Sequence, residues 1–328
     1  MSKKLIVSVL AIMTLAFTGC SSASSVTESN AAVESTVEVE QMTAETVTVV
    51  HTLGETQVPK NPKNVVVMDF GILDAMDALG IEVAGLPLSG AVPDYLSDYT
   101  NKEVYTNIGS LKEIDLEKVF EVEPELIIIG GRQASYYEEL SKIAPTIQIS
   151  VDASDYMNSF ITNMNYLGEI FDKQEEVATK LEAIEASMQA IKEKAAQKDV
   201  NGLIVLANGD AFSVYGKESR FGIIHNEFGI RPVDETIEES THGQNASFEY
   251  IVEQNPDYLF IVDRTAATSA TGGEGAAKVL FDNELIKSTD AYKNGHIVYL
   301  DPVVWYTSGG GFTSTEIMLE EISSALDL

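Results

Sequence analysis

Cysteine occurs once in the 328 residues, at position 20. A single thiol excludes an internal disulfide, a four-cysteine zinc site and a CxxC redox pair. Positive charge is also scarce: 21 Lys and Arg stand against 51 Asp and Glu, a formal net charge of −30. A chain this acidic repels phosphate backbones, which argues against nucleic-acid partners. Docking onto an anionic membrane through basic patches is disfavoured for the same reason. Catalytic signatures are missing too: there is no G-x-S-x-G, H-E-x-x-H, EF-hand loop, P-loop or strand-anchored G-x-G-x-x-G. What the chain does have is apolar material, 45% of its residues, enough to build cores rather than remain disordered throughout. Its length suggests about two domains.

The N-terminus reads as an address. Lys3 and Lys4 precede an uncharged apolar run, Leu5 to Phe17, too short to span a bilayer comfortably and typical of a signal core. It ends in Phe17-Thr18-Gly19-Cys20, which resembles the lipobox of bacterial lipoproteins, with Phe where Leu is usual. In a lipobox the cysteine takes a diacylglycerol and becomes the new N-terminus; the alternative is a plain secretory peptide with an incidental cysteine. Ser21 to Thr46 contain no Lys, Arg, aromatic, Gly or Pro, the composition of a solvated, self-repelling tether. The expected organisation is a signal peptide over 1–19, an acidic tether over 20–46, an α/β lobe over 47–171, a linking helix over 172–198 and a second α/β lobe over 199–328.

Short β-rich runs alternate with helical patterns through both lobes, as in parallel sheets with crossover helices. Val47–His51 and Glu55–Val58 flank a Leu53-Gly54 turn and predict a hairpin. Strands are expected at Val65–Met68, Glu82–Gly85, Leu126–Ile129 and Thr146–Ile149, and again at Gly202–Ala207, Phe212–Tyr215, Tyr258–Val262 and His296–Leu300. Phe70–Leu79 predicts a helix stopped by Gly80, and further helices should follow Arg220, Ser247 and Gly311. Between the lobes, Val177, Leu181, Ile184, Met188 and Ile191 recur at helical spacing within Lys173–Gln197. That helix would be about 37 Å long, enough to lie across two lobes; an ordinary surface helix would show the same periodicity.

An ungapped internal repeat ties the lobes together. Leu116–Ile129 aligns with Phe248–Ile261 at an offset of 132, with identical pairs Glu117/Glu249, Glu121/Glu253, Pro124/Pro256 and Ile129/Ile261. Three residues further on, Arg132 falls on Arg264. Each copy is an acidic helix, a proline break and a buried strand followed by arginine. Ligands of open α/β sheets bind beyond the carboxyl ends of strands, so two facing copies would bring two guanidinium groups to one cleft.

Only four arginines exist, against 17 lysines: Arg132, Arg220, Arg231 and Arg264. Arginine offers a rigid fork for delocalised anions, and Arg220 precedes an expected helix start, where the dipole disfavours a cation. Each arginine taken singly is as well explained by a surface ion pair with one of the many acids. Arg231, between Gly229 and Pro232, reads as structural, as do His51, His225 and His296. His242 lies in a polar loop before the second repeat helix. Tyr306 adjoins Trp305, the sole tryptophan, and the run Gly309-Gly310-Gly311.

Taken together, the lipobox, the acidic tether and four motifs resemble the iron–siderophore-binding lipoproteins of bacterial ABC importers, in particular those for ferric catecholates and petrobactin-like ligands. The motifs are PKNPKNVVVMDFGILDAMDALGIEVAGLP, NIGSLKEIDLEKVFEVEPELIIIGGR, STHGQNASFEYIVEQNPDYLFIVDR and VWYTSGGG. The resemblance spans about residues 47–328. It implies a class III periplasmic-binding-protein-like fold: two similar α/β lobes bridged by a long α-helix, with the ligand cleft between them. It implies that Arg132, Arg220 and Arg264 bind an anionic iron chelate, and that His242 and Tyr306 can complete Fe3+ coordination when the siderophore offers only four oxygens. It implies that Glu117 and Glu249 dock onto the permease, that Cys20 is lipidated, and that the protein is a monomer on the extracellular face of the membrane, held by its lipid alone. No permanent cofactor and no catalysis are implied; the ferric siderophore is cargo. Haem, cobalamin or a bare metal ion in the same fold, or a lipid-anchored enzyme or adhesin, are the competing readings of the residues alone.

Overall fold

The computed structural model describes residues 45–328 except 239, 241 and 270–274. Cys20, the signal segment and most of the tether lie outside the described residues.

The described chain opens with a hairpin, β1 (Thr46–His51) antiparallel to β2 (Gly54–Pro59). His51 pairs with Gly54, so the turn is Thr52-Leu53, one residue earlier than the sequence pattern places it. A two-residue loop is the connection whose twist matches the flanking strands.

Five parallel strands form the first sheet: β3 (Val66–Val67), β4 (Gly85–Leu86), β5 (Thr106–Asn107), β6 (Ile127–Ile129) and β7 (Thr146–Gln148), in the order β5-β4-β3-β6-β7. The strand expected at Glu82–Gly85 is displaced to Gly85–Leu86. Gly85 pairs with Val66 where an added Cβ would come within 3.0 Å of the Val66 side chain, so the glycine draws the strand in. The second sheet contains β8 (Asn201–Asn208), β9 (Ala211–Tyr215), β10 (Arg231–Pro232), β11 (Gln244–Asn245), β12 (Tyr258–Asp263) and β13 (Ile297–Tyr299). Its order is β11-β9-β8-β12-β13, with β10 also on β8. The strands β8, β10, β12 and β13 run parallel, and β9 is antiparallel to both neighbours.

Both sheets are buried on both faces, which explains the unbroken apolar runs. Ile127 and Ile129 pack on one side of β6 and Ile128 on the other; Leu259 and Ile261 face away from Tyr258, Phe260 and Val262 on β12. The faces carrying Ile128 and Phe260 join one continuous core that also takes in Val177, Leu181, Ile184, Met188 and Ile191. These come from the long helix Gln174–Lys198, which therefore packs against both lobes. It ends on Asp199 in the left-handed conformation, φ +49°.

The repeat is structural as well as sequential. Asp115 and Ser247, 132 apart, cap the helices Leu116–Glu121 and Phe248–Gln254 by accepting from Lys118 N and Tyr250 N. Both segments then turn through a left-handed residue, Glu123 at φ +50° and Asn255 at φ +45°, before the proline and the buried strand.

The last helix, Phe312–Ala325, returns to the first lobe. The buried Asp74 carboxylate, on the helix Phe70–Ala78, accepts from Thr313 N at 2.9 Å and from Ser314 N at 2.7 Å. This contact accounts for Gly311, while Gly310 is needed for its φ of +97°. A Cβ on Gly311 would lie 2.3 Å from the Asp74 carboxylate, and one on Gly71 would lie 2.4 Å from the Gly309 carbonyl. No helix among the described residues is long and apolar enough to cross a membrane.

Candidate functional site

A cleft of about 970 Å³ lies between the lobes, lined by Arg132, Arg220, Arg264, His242 and Tyr306 among others. Arg132 follows β6 in a short 3-10 turn, Gly131–Tyr136, and Arg264 opens the helix Arg264–Thr268 directly after β12. They thus leave the carboxyl ends of equivalent strands, the position from which open α/β sheets bind ligands. Arg220 stands two residues before Gly222, the residue that precedes the short helix Ile223–Asn226. An added Cβ on Gly222 would lie 1.9 Å from the Lys217 carbonyl oxygen, so the loop carrying Arg220 folds tightly at that glycine.

The three guanidinium groups converge on one residue. Arg132 and Arg220 each donate from Nη2 to the backbone carbonyl of Tyr306 at 2.8 Å. Arg264 donates from Nε to the Tyr306 hydroxyl at 2.9 Å and from Nη1 to Asn208 Oδ1 at 2.8 Å. The Arg220 guanidinium also lies over the Tyr306 ring, 4.1 Å from its centroid, a cation–π arrangement. Tyr306 is presented by a π-helical turn, Val304–Ser308, a motif frequent at functional sites.

Among the described residues, none of these three arginines forms an ion pair, although acids outnumber cations more than two to one. Arg231 does, with Asp199 at 3.1 Å, away from the cleft. The charges at the cleft are thus held on neutral acceptors and remain available to an anion. Burial lowers the pKa of Arg220, helped by repulsion from Arg132 and opposed by Tyr306, and its buried Nε has no partner. At Tyr306 burial alone would raise the phenol; the hydrogen bond from Arg264 and the guanidinium charges of Arg220 and Arg264 outweigh it and hold the phenol below its ordinary value. A phenol so biased is a better phenolate ligand for a hard ferric ion.

His242 lies at the exposed rim, beside β11. Gly243 at φ +70° lets this loop lie against the Tyr215 ring, which an added Cβ would approach within 2.7 Å. Glu117 and Glu249 lie apart from the cleft, exposed in the first turns of the two equivalent helices. At Glu249 the backbone N–H at the helix start and the Ser247 hydroxyl hold the carboxyl below its usual value.

Two charged lining residues escape the sequence reading. Lys112 is exposed, lines the cleft and has no acidic partner among the described residues. The signal for it was the repeat itself: extended four residues upstream, Lys112 falls on Gln244, two residues from His242. Asp69 follows β3, lines the cleft and caps the helix Phe70–Ala78, accepting from Gly71 N at 2.9 Å and Ile72 N at 3.2 Å. Burial raises its pKa, against Arg132 and the two backbone donors, which lower it.

Two equivalent α/β lobes, a bridging helix and an arginine-lined cleft between them define a class III substrate-binding protein. The chain belongs to the periplasmic binding protein family, whose profile matches residues 65–304; it is a binding protein, not an enzyme. It is 46% identical over 287 residues to the petrobactin-binding protein YclQ of Bacillus subtilis, covering 86% of this chain and 89% of YclQ. The crystal structure of YclQ matches with a TM-score of 0.83 at 45% identity, over 87% of this chain and 99% of that one. The periplasmic catecholate-siderophore binding protein VctP from Vibrio cholerae matches with a TM-score of 0.81 at 38% identity, over 85% of this chain and 100% of that one.

Proposed function

We propose that this chain is the extracytoplasmic receptor of an iron-uptake ABC importer, binding a ferric siderophore of the catecholate type and passing it to the permease. The observation that carries this reading is the convergence of Arg132, Arg220 and Arg264, from both lobes, on Tyr306 in one open cleft. Catecholate oxygens are hard donors that suit ferric iron, and the chelate they form is an anion that the three guanidinium groups attract. The descriptions of YclQ and VctP as petrobactin- and catecholate-siderophore-binding point to the same cargo class.

A tetradentate bis-catecholate leaves two iron positions open and carries a charge of about −1, from three positive and four negative charges. His242 and Tyr306 fill those positions in this reading, and both line the cleft. Glu117 and Glu249, one per lobe, dock onto the permease. The polypeptide is organised as signal peptide, tether, lobe, linking helix and lobe, and it works as a monomer anchored by lipid on Cys20.

Trp305 supplies the assay, being the sole tryptophan and adjacent to Tyr306. A ferric bis-catecholate should quench its fluorescence at sub-micromolar concentration. No quenching by any ferric catecholate, citrate or hydroxamate would overturn the receptor reading.

A further inference from the structure

Asp69 is the one carboxylate lining the cleft among the described residues, where Lys112, Arg132, Arg220 and Arg264 supply the opposite charge. It follows β3, which pairs directly with the strand leading to Arg132 (Val67 opposite Ile128), so acid and base leave adjacent strand ends. Yet the two form no ion pair, and Arg132 spends its Nη2 on the Tyr306 carbonyl. Space is made for the carboxylate: a Cβ on Gly130 would lie 2.4 Å from Asp69 Oδ2. The helix dipole favours a carboxylate at this end by only about 0.3–1 kcal/mol, and the cap itself does not require the charge. A cap needs a side-chain acceptor, and Asn and Ser serve as well as Asp, without placing a negative charge where an anion binds.

We propose that Asp69 is a specificity-determining residue whose carboxylate grades cargo by charge, weakening binding in proportion to the negative charge of the chelate and favouring a monoanionic ferric chelate over a trianionic one. The inference rests on the proposed function and sharpens its cargo class. Coulomb interaction falls only as the first power of distance, so a carboxylate in the lining acts on the cargo without touching it. Interactions of this kind scale linearly with charge in free energy, so the effect on a trianion is the cube of that on a monoanion.

The test compares Asp69→Asn with the wild-type chain, reading Trp305 quenching by two amine-free ferric chelates: a bis(2,3-dihydroxybenzoyl) chelate of charge −1 and a tris(2,3-dihydroxybenzoyl) chelate of charge −3. Asparagine keeps the helix cap; if that variant fails to fold, Asp69→Ser carries the same test. The expected result is tighter binding of both chelates by the variant, with the fold-gain for the trianion equal to the cube of that for the monoanion and both gains shrinking at high salt. Equal changes for the two chelates, no change, or weaker binding would each overturn the role of Asp69 while leaving the receptor reading standing. Failure of the wild-type chain to bind either chelate, or any ferric catecholate, citrate or hydroxamate, would overturn both.

Discussion

Arg132 and Arg220 meet on one oxygen: each donates a 2.8 Å hydrogen bond to the carbonyl of Tyr306, one from the first lobe and one from the second. Two like charges share a neutral acceptor while, among the described residues, neither forms an ion pair. This keeps both forks pointed into the cleft, where an anion can take them over without first breaking an ion pair.

Replacing either arginine by alanine removes charge-assisted hydrogen bonds to the cargo, each worth about 1.5–3 kcal/mol. Affinity for a ferric catecholate should therefore fall by roughly ten- to a hundred-fold, with lysine restoring part of it because it returns charge without the fork. Titration of Trp305 fluorescence measures the loss. Alanine at Arg231, which is paired with Asp199 outside the cleft, should leave affinity unchanged.

Tyr306 should be the tyrosine whose ionisation is displaced downward. Its phenol is held below the ordinary value of 10.0 by Arg264 and Arg220, whereas burial holds the phenols of Tyr95, Tyr99 and Tyr156 above it. An alkaline ultraviolet titration of the ligand-free protein should show a phenolate appearing below pH 10 that is lost in Tyr306→Phe and moved upward in Arg264→Ala. If the phenolate ligates iron, uptake of a preformed chelate releases a proton. Affinity should then rise with pH, up to about tenfold per unit, until the phenol is ionised. Tyr306→Phe should flatten that slope and shift the iron charge-transfer band; an unchanged band would exclude the tyrosine as a ligand.

His225 predicts an acid limit to stability. Its ring is buried, with Nδ1 against the Ile230 carbonyl at 2.7 Å and Nε2 without a partner. Burial pushes its pKa down from 6.5 to about 4. The unfolded chain therefore binds a proton that the folded chain refuses, so stability falls as pH drops below 6.5 and the loss is complete near pH 4. The loss amounts to about 3 kcal/mol. Urea unfolding at stepped pH should show this slope, and His225→Leu should flatten it whatever it does to absolute stability.

The buried strands were legible in the sequence as apolar runs, and the long helix because five apolar residues sit on one stripe; the two-residue strands β5, β10 and β11, which carry no buried residue, were not. The repeat found its own structural counterpart in the paired caps Asp115 and Ser247. Bringing Arg132 and Arg264 to one cleft was legible from the offset of 132, whereas Arg220 joined them only through the family resemblance. The Tyr306 carbonyl as shared acceptor was not, since backbone atoms carry no sequence signal. Nor was the purpose of Gly311, because it depends on Asp74, which lies 239 residues from Thr313 in the chain. Asp69 is one of 51 acids and Lys112 one of 17 lysines, so composition singles out neither.

That long-range cap is open to direct measurement. Asp74→Asn keeps one acceptor where two are needed and should cost about 1–3 kcal/mol. Gly311→Ala drives a methyl against the Asp74 carboxylate, 2.3 Å away, and should cost a similar amount through overpacking. Each should lower the Tm by several degrees in a thermal melt, and because they strain the same contact, the double variant should lose less than the sum.

The same contact bears on how far the duplication is modular. The last helix is encoded with the second repeat, yet Asp74 of the first caps it, and Phe312 packs edge-on against Phe160 and beneath Lys180. A fragment cut after residue 198 would keep Asp74 and lose both of its donors. The matching fragment from 199 onward would expose the face of Phe312. The two copies have become mutually dependent, so they should refold when supplied together and fail when expressed apart.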